Sequence, residues 1–323
     1  MNIVIAGYGY VGKAVESFIK NHHNVTIVDP AFNKNTVSDS NPNAVIICVS
    51  TPEGEDGSCD VSNVIQVINE TPKEVPILIK STISLEGWKE IRKCVAPLRI
   101  TFSPEFLRAK TAIEDFQNQE LMYFSNGSVF WQELFSNINP KLQFKEFSAE
   151  ELVLAKYFRN SFLATKVTFF NQIFDLCKKI RTVDYEAIRQ IVTDDSRIGE
   201  GHSKITDERG FGGHCFPKDT KAIVETANKN KSDLSLIKTA IEYNKEVQNN
   251  NKVNLDLRTL QKESARALVV MQNADNLSLS EINQKVNHDS TLFYKKVLEK
   301  YIELFGDLPS KTKEGKEVTL IME

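Results

Sequence analysis

The apolar positions of the first hundred residues come in short unbroken runs rather than in alternation. NIVIA (2–6), VTIVD (25–29), AVIICVS (44–50) and PILIKST (76–82) stay almost wholly apolar until their C-terminal ends, and LRITFSPEF (98–106) follows the same plan. Such runs suit parallel strands buried on both faces. After the first run, Val11, Val15, Phe18 and Ile19 recur at helical spacing and predict an amphipathic helix. Ligands of open α/β sheets sit beyond the C-terminal strand ends. That rule collects Ser50, Thr51 and Pro52, Ser81 and Thr82, and Pro104 with Glu105 along one edge. Only about 14 residues separate Asp29 from Ala44, close to the shortest crossover between parallel strands, so this unit reads as trimmed.

From Ser148 the period changes to that of a helix. SAEELVLAKYFRNSFLATKVTFFNQIFDLCKKI (148–180) holds no Pro or Gly, and Ser148 with Glu151 forms a capping box. Leu152, Ala155, Phe158, Phe162, Thr165 and Phe169 fall at three- and four-residue steps. A helix of this length spans roughly 50 Å, which suits a spine between domains or a dimer interface. Lys156 and Asn160 project from one face about a turn apart. From spacing alone, a solvated pair and a polar site are both open readings. Beyond IKTAIEYNKEVQ (237–248) the pattern is mostly helical, as in LRTLQKESARALVVM and in STLFYKKVLEKYIELFG with Ser290 and Gly306 as its ends. EVTLIME (317–323) reads as a single strand.

Two glycine-rich stretches carry chemistry. Gly7-Tyr8-Gly9-Tyr10-Val11-Gly12 follows a strand, opens a helix and is followed by Asp29 at the end of the next strand. In that context GxGxxG is the dinucleotide fingerprint. Gly7 permits the tight turn, Gly9 the approach of a pyrophosphate, Gly12 the close packing of helix on strand. Asp29 suits ribose hydroxyls and repels a 2′-phosphate, so NAD is expected rather than NADP. The second stretch, GFGGHCFPKD (210–219), sets Cys215 before a helix start at Pro217-Lys218-Asp219. A helix N-terminus and nearby cations activate a thiol, whereas a free cysteine in a core is simply a small hydrophobe. The flanking glycines and the Lys-Asp pair favour a nucleophile. His214 remains open between a role and packing.

Composition removes several function classes. The 323 residues carry a formal charge of −3, with 41% hydrophobic and 26% charged residues. No basic stripe or known motif points to nucleic acid, and no apolar run is long enough for a membrane span. MNIVIAGYGYVG lacks a signal peptide's basic flank. The five cysteines are scattered, with no CxxC pair, which argues against a disulfide framework or a thiolate zinc site and for a reducing cytoplasm.

In order along the chain, GYGYVG (7–12), STP with a downstream DG (50–57), KST (80–82), SPEFLR (103–108), KYFRNSFLATK (156–166), DSRIG (195–199) and GFGGHCFPKD (210–219) resemble the UDP-glucose/GDP-mannose dehydrogenase family. The resemblance runs from residue 1 to about 249. It implies a Rossmann-type α/β NAD-binding domain (1–147) and an all-helical middle domain with a long central helix (148–250) that forms a homodimer; the pattern beyond it reads as a mostly helical C-terminal appendage (251–323) of unknown role. It also implies oxidation of a sugar 6-hydroxyl to a carboxylate with two NAD⁺ and no metal, most readily of UDP-glucose, with the product feeding polysaccharide synthesis. By resemblance Cys215 is the nucleophile. Lys156, helped by Asn160, is the cation at the alkoxide and thiohemiacetal oxygen, and Asp219 positions or activates water. Glu105 and Thr82 match the family's other active-site carboxylate and hydroxyl. Tyr8, Tyr10, Val11, Ser50, Thr51, Pro52 and Thr82 join the glycines and Asp29 in holding NAD. Phe106, Leu107, Arg108, Phe211 and Gly212 join Lys156 and Asn160 at the substrate, and Arg197 reaches the sugar in a neighbouring subunit.

The chain departs from the pattern at three places. Ala109 stands where many relatives have a second acid after PEFLR, the segment after Asp29 is short, and no second βαβ pattern follows residue 250. A different nucleotide sugar, a non-catalytic dimeric relative that binds NAD or a sugar nucleotide, and a two-electron hydroxyacid dehydrogenase are therefore alternative readings.

Overall fold

The computed structural model describes residues 1–251 apart from 34, 53, 55–58, 96–98, 126, 181 and 214. The expected C-terminal helices and strand, His214 and the Asp56-Gly57 pair lie outside the described residues.

Five parallel strands form the sheet that the apolar runs predict. They are β1 (Asn2–Ala6), β2 (Asn24–Val28), β3 (Ala44–Ile47), β4 (Ile77–Ile79) and β5 (Ile100–Phe102), in the order β2-β1-β3-β4-β5. β1 coincides with its apolar run, and the other four strands stop earlier than theirs. In register, Ile3, Ile5, Ala44, Ile46 and Leu78 point to one face, and Val4, Ala6, Val45, Ile47, Ile77 and Ile79 to the other. All of them are buried, because both faces carry helices.

The first face is covered by α1 (Tyr10–Ile19), α4 (Ala112–Gln117) and α5 (Val129–Ile138), where Phe116, Trp131 and Phe135 are almost wholly enclosed. The second lies under α2 (Ser62–Glu70), α3 (Leu85–Cys94), the start of α6 (Ala149–Lys179) and α8 (Phe216–Lys229). Strands β6 (Leu121–Ser125) and β7 (Gln143–Phe147) make a separate parallel pair. The Ser125 hydroxyl accepts from the Phe102 amide at 2.8 Å and so ties this pair to the main sheet. Sequence patterning did not anticipate it, since β7 is exposed at four of its five positions. Helix α7 (Tyr185–Thr193) packs on α6.

The short β2–β3 connection holds a 3-10 turn, Ser38–Ser40, and no α-helix among the described residues. Side chains do the bracing instead. Asn33 and Asn35 both donate to the Ile27 carbonyl at 3.0 Å, and Val37 fills the space beneath.

Helix α6 runs 31 residues from the expected Ser148–Glu151 capping box, with both reciprocal bonds formed. Its buried face consists of Leu152, Val153, Lys156, Tyr157, Ser161, Ala164 and Thr168. The phenylalanine stripe points the other way: Phe158, Phe162 and Phe169 are exposed, Phe162 by 69%. Polar and small side chains face the unit because this face meets the active-site edge of the sheet.

Residues 1–205 and 211–243 form one compact unit, whose last nine residues, 235–243, are helical. Of the second unit, residues 206–210 and 244–251 are described; 244–251 are helical, and Asn251 donates to the Asp207 carbonyl at 2.7 Å.

Gly7 has φ +94, and a Cβ there would stand 2.5 Å from the Cys48 carbonyl group, whereas at Gly9 nothing lies within 4 Å. Gly7→Ala is expected to cost about 1–3 kcal/mol for its backbone conformation alone, while Gly9→Ala leaves stability nearly unchanged. Chemical denaturation checks both. Equal midpoints for the two variants would overturn the close approach at Gly7.

Candidate active site

Two cavities lie along the C-terminal edge of the sheet. The first, about 890 Å³, is lined by the Gly7–Val11 turn, Asp29, Ser50, Thr51, Pro52 and Thr82. The Gly7 turn is held by its amide donating to the Val28 carbonyl at 2.9 Å. Asp29 takes the amides of Tyr8 (2.6 Å) and Ala31 (2.9 Å), one on each carboxylate oxygen. Each oxygen retains a lone pair toward the cavity. Thr51 donates to the Thr82 carbonyl at 2.6 Å, and Lys218 to the Thr51 carbonyl at 3.3 Å. An open Gly9 at the start of α1, with an acid at the end of β2, fits a dinucleotide whose pyrophosphate meets a helix N-terminus.

The second cavity, about 930 Å³, is lined by Phe106, Leu107, Arg108, Asn160, Gly212 and their neighbours. Tyr10, Lys80, Glu105, Lys156 and Cys215 line both cavities and form the wall they share where the two meet. Volumes of this size accommodate small-molecule ligands.

That wall is built from five separate segments of the chain. Lys156, only 7% exposed, donates from Nζ to the Glu105 carbonyl at 2.5 Å. Lys80, at the end of β4, forms a buried ion pair with the Glu105 carboxylate and donates to the Ser103 hydroxyl at 3.1 Å. Cys215 is the residue before α8, with Pro217 in the first turn. Its Sγ lies 3.4 Å from the Tyr10 hydroxyl. Burial and then the Cys215 contact raise the Tyr10 pKa, so the phenol stays protonated and can donate to the sulfur. Cys48, also on the cavity wall, has its thiol pushed up to about 12 by burial and is unreactive by comparison.

Asp219 sits one turn into α8, fully enclosed. Asn160 donates to its Oδ2 at 2.6 Å, and its Oδ1 has no hydrogen-bond partner among the described residues. Burial raises its pKa; Lys156, Lys218 and the Asn160 bond pull in the opposite direction. Asp219 lines neither cavity and reaches the wall through Asn160.

The residues expected at the site within one chain therefore gather with three exceptions. Asp219 lies behind the wall. Gly12 packs on the turn, where a Cβ would clash with the Gly7 carbonyl oxygen, and lines neither cavity. Phe211 is buried and packs 6.5 Å from the Phe216 ring rather than lining the cavity. Arg197, expected at the sugar of a neighbouring subunit, is held by Asp195 at 2.6 Å with its side chain 87% exposed. Sequence reading assigned nothing to Lys80, Arg159 or His202, all of which line the second cavity or its wall. Lys80 stood within the KST motif and Arg159 beside Asn160, so position offered a signal for those two. Among the described residues no cluster of His, Cys, Asp and Glu fit for a metal occurs, and no helix is long and apolar enough to cross a membrane.

Comparison with known proteins identifies both halves of this arrangement. Residues 31–123 match the NAD binding domain and residues 149–246 the central domain of the UDP-glucose/GDP-mannose dehydrogenase family. Together they take up more than half of the chain. A UDP-glucose 6-dehydrogenase of Rickettsia felis is 33% identical over 219 residues, covering 64% of this chain and 48% of that protein. One from Rhizobium meliloti is 33% identical over 222 residues, covering 62% and 49%. The chain thus spans about half the length of these relatives. A UDP-glucose dehydrogenase structure from Pyrobaculum islandicum superposes with a TM-score of 0.65 at 22% identity over 83% of this chain and 70% of that one, a likeness of fold.

The raised Asp219 pKa has a sign that can be tested. The folded protein holds the proton more tightly than the unfolded chain. The resulting stability is complete below the ordinary carboxylate pKa and is lost as pH rises through the folded value. Asp219→Asn is expected to unfold at a higher temperature than the parent near pH 7 and to lose that slope, as followed by circular dichroism from about pH 4 to about pH 8. A less stable variant at neutral pH would count against burial as the dominant influence on this carboxyl.

Proposed function

Because the chain belongs to the UDP-glucose/GDP-mannose dehydrogenase family, we propose that it oxidises the 6-hydroxyl of a nucleotide sugar to a carboxylate, with UDP-glucose the favoured substrate. The observation that carries this reading is the shared wall: a thiol and a buried ammonium stand between a dinucleotide-shaped cavity and a second cavity of similar size. NAD, when bound, supplies the hydride acceptor.

The chain's own residues then divide the work. The Lys156 ammonium, fixed by the Glu105 carbonyl, faces the oxygen of the primary alcohol and stabilises it as its proton passes to solvent water. Loss of one hydride gives an aldehyde, which has no second hydride to give until a nucleophile adds. Cys215 Sγ forms a bond to the aldehyde carbon, and the carbonyl oxygen becomes the thiohemiacetal oxygen beside Lys156 and Asn160. Departure of a second hydride, to a second cofactor molecule, leaves a thioester. Water attacks that carbon, the C–S bond breaks, and the thiol and the carboxylate are released. Tyr10 donates to sulfur as charge returns to it. A buried carboxylate oxygen without a partner is a natural acceptor for water, which supports Asp219 as the group that holds the attacking molecule.

The exposed stripe of Phe158, Phe162, Phe169 and Leu176 on α6 supports a homodimer through this helix. All five cysteines are free, which suits a reducing compartment such as the cytoplasm.

The central test counts NADH formed per UDP-glucose consumed by the full chain with excess NAD⁺. Two per sugar are expected; one would replace this mechanism with a simple alcohol oxidation, and none with ligands bound would leave a binding protein. Cys215→Ser should lose the four-electron reaction by a factor of about 10³ or more while remaining folded. Wild-type turnover in that variant would remove the thioester. Asp219→Asn should accumulate an acyl-enzyme visible by mass spectrometry. For the dimer, Phe162→Glu should shift the light-scattering mass from two chains to one.

A further inference from the structure

The second cavity is lined by several cations, and most are already paired. Arg108 is held bidentately by Asp115 at 2.6 and 3.1 Å, Lys80 is paired with Glu105, and Lys156 is bonded to the Glu105 carbonyl. Arg159 differs. Its guanidinium carbon lies 4.5 Å from the centre of the Phe106 ring, and it has no carboxylate or hydrogen-bond acceptor among the described residues. Stacking on an aromatic ring restrains the side chain without occupying its N–H donors. Phe106 is itself fixed, edge-on to Tyr123 at 5.9 Å and beneath the Lys156 ammonium at 5.8 Å.

From this geometry we infer that Arg159, seated on Phe106, is the phosphate-binding side chain of the second cavity, taking the phosphoryl group attached to the sugar. The inference deepens the dehydrogenase reading and rests on it. Arg159 follows Lys156 by three positions, so the two project as neighbours on one side of α6. The axial rise over three positions, about 4.5 Å, is comparable with the width of a sugar ring. A ligand with its 6-hydroxyl at Lys156 therefore carries its other end toward Arg159. A planar fork with free donors is the side chain that recognises phosphate bidentately.

Two neighbours support the assignment. His202, on the same wall, has its pKa lowered by burial and then by the positive charges of Lys166, Arg108 and Arg159, which marks this end of the cavity as electropositive. Glu120, also on the wall, disfavours a ligand anionic along its whole length and suits one with negative charge at a single end. A sugar phosphate or sugar diphosphate has that distribution. The part of the ligand beyond the phosphate is not needed for this contact, so the cavity reads a phosphate before it reads a base.

The test is calorimetric titration of the full chain with UDP and with inorganic pyrophosphate, in the absence of NAD. The parent should bind both. Arg159→Ala should weaken each by about tenfold or more, the range of a charge-assisted contact, and Arg159→Lys by less, since it keeps the charge and loses the fork. Because Arg159 is exposed, the variants should unfold at the parent's temperature, and NAD titration should give the parent's affinity. Unchanged UDP and pyrophosphate binding in Arg159→Ala, or no binding by the parent, overturns the assignment. The two readings fail separately. A parent that binds UDP through Arg159 and forms no NADH loses the dehydrogenase reading alone. A parent that forms NADH, with Arg159→Ala unchanged in KM for UDP-glucose, loses the phosphate site alone.

Discussion

A buried ammonium must be hydrogen-bonded or give up its proton, and the Lys156 amine meets that requirement on a single backbone carbonyl, that of Glu105. This contact joins the long helix to the loop after β5, and the rest of the site is organised around it. Glu105 is fixed from the opposite side by Lys80, which is anchored on Ser103. Two lysines from different elements thus grip one residue, by its backbone and by its carboxylate. Close by, Tyr157 is wholly buried and donates to the Ile83 carbonyl at 3.1 Å, so the helix cannot rotate without breaking both bonds.

The consequence for α6 is a partial inversion of the usual arrangement: beside Leu152, Val153 and Phe170 its buried side holds a lysine, a tyrosine and a serine, while phenylalanines 158, 162 and 169 remain outside. What holds it in the observed orientation is a set of directional bonds at one end and the small side chains Ser161 and Ala164, which let the adjoining chain come close.

This inversion also marks the limit of what the sequence discloses. The dinucleotide turn is legible because its requirements are local: Gly7 needs a positive φ, and a strand, turn and helix follow one another within twenty residues. The capping box at Ser148 is local in the same sense. Parallel strands are legible from apolar runs, though the runs of β3, β4 and β5 overshoot their strands by a few residues, since those C-terminal ends serve the cavities rather than the ladder. The Lys80–Glu105 pair is not legible, because it depends on the register of β4 against β5. Phe211 carried a motif match that the geometry of this chain does not bring to the cavities. Strands β6 and β7 escaped because LMYFS and QFKEF pair with each other at the margin, where an exposed strand shows little alternation.

Two chambers with a common wall have a kinetic meaning beyond their shapes. An oxidation in two stages needs one visitor to be replaced while the other stays. If a single cleft held both, every exchange of the spent carrier would offer the half-oxidised product a way out. On the proposed mechanism, because Cys215 lines both cavities, a product bonded to the thiol would stay in place while the spent carrier is exchanged from the other cavity.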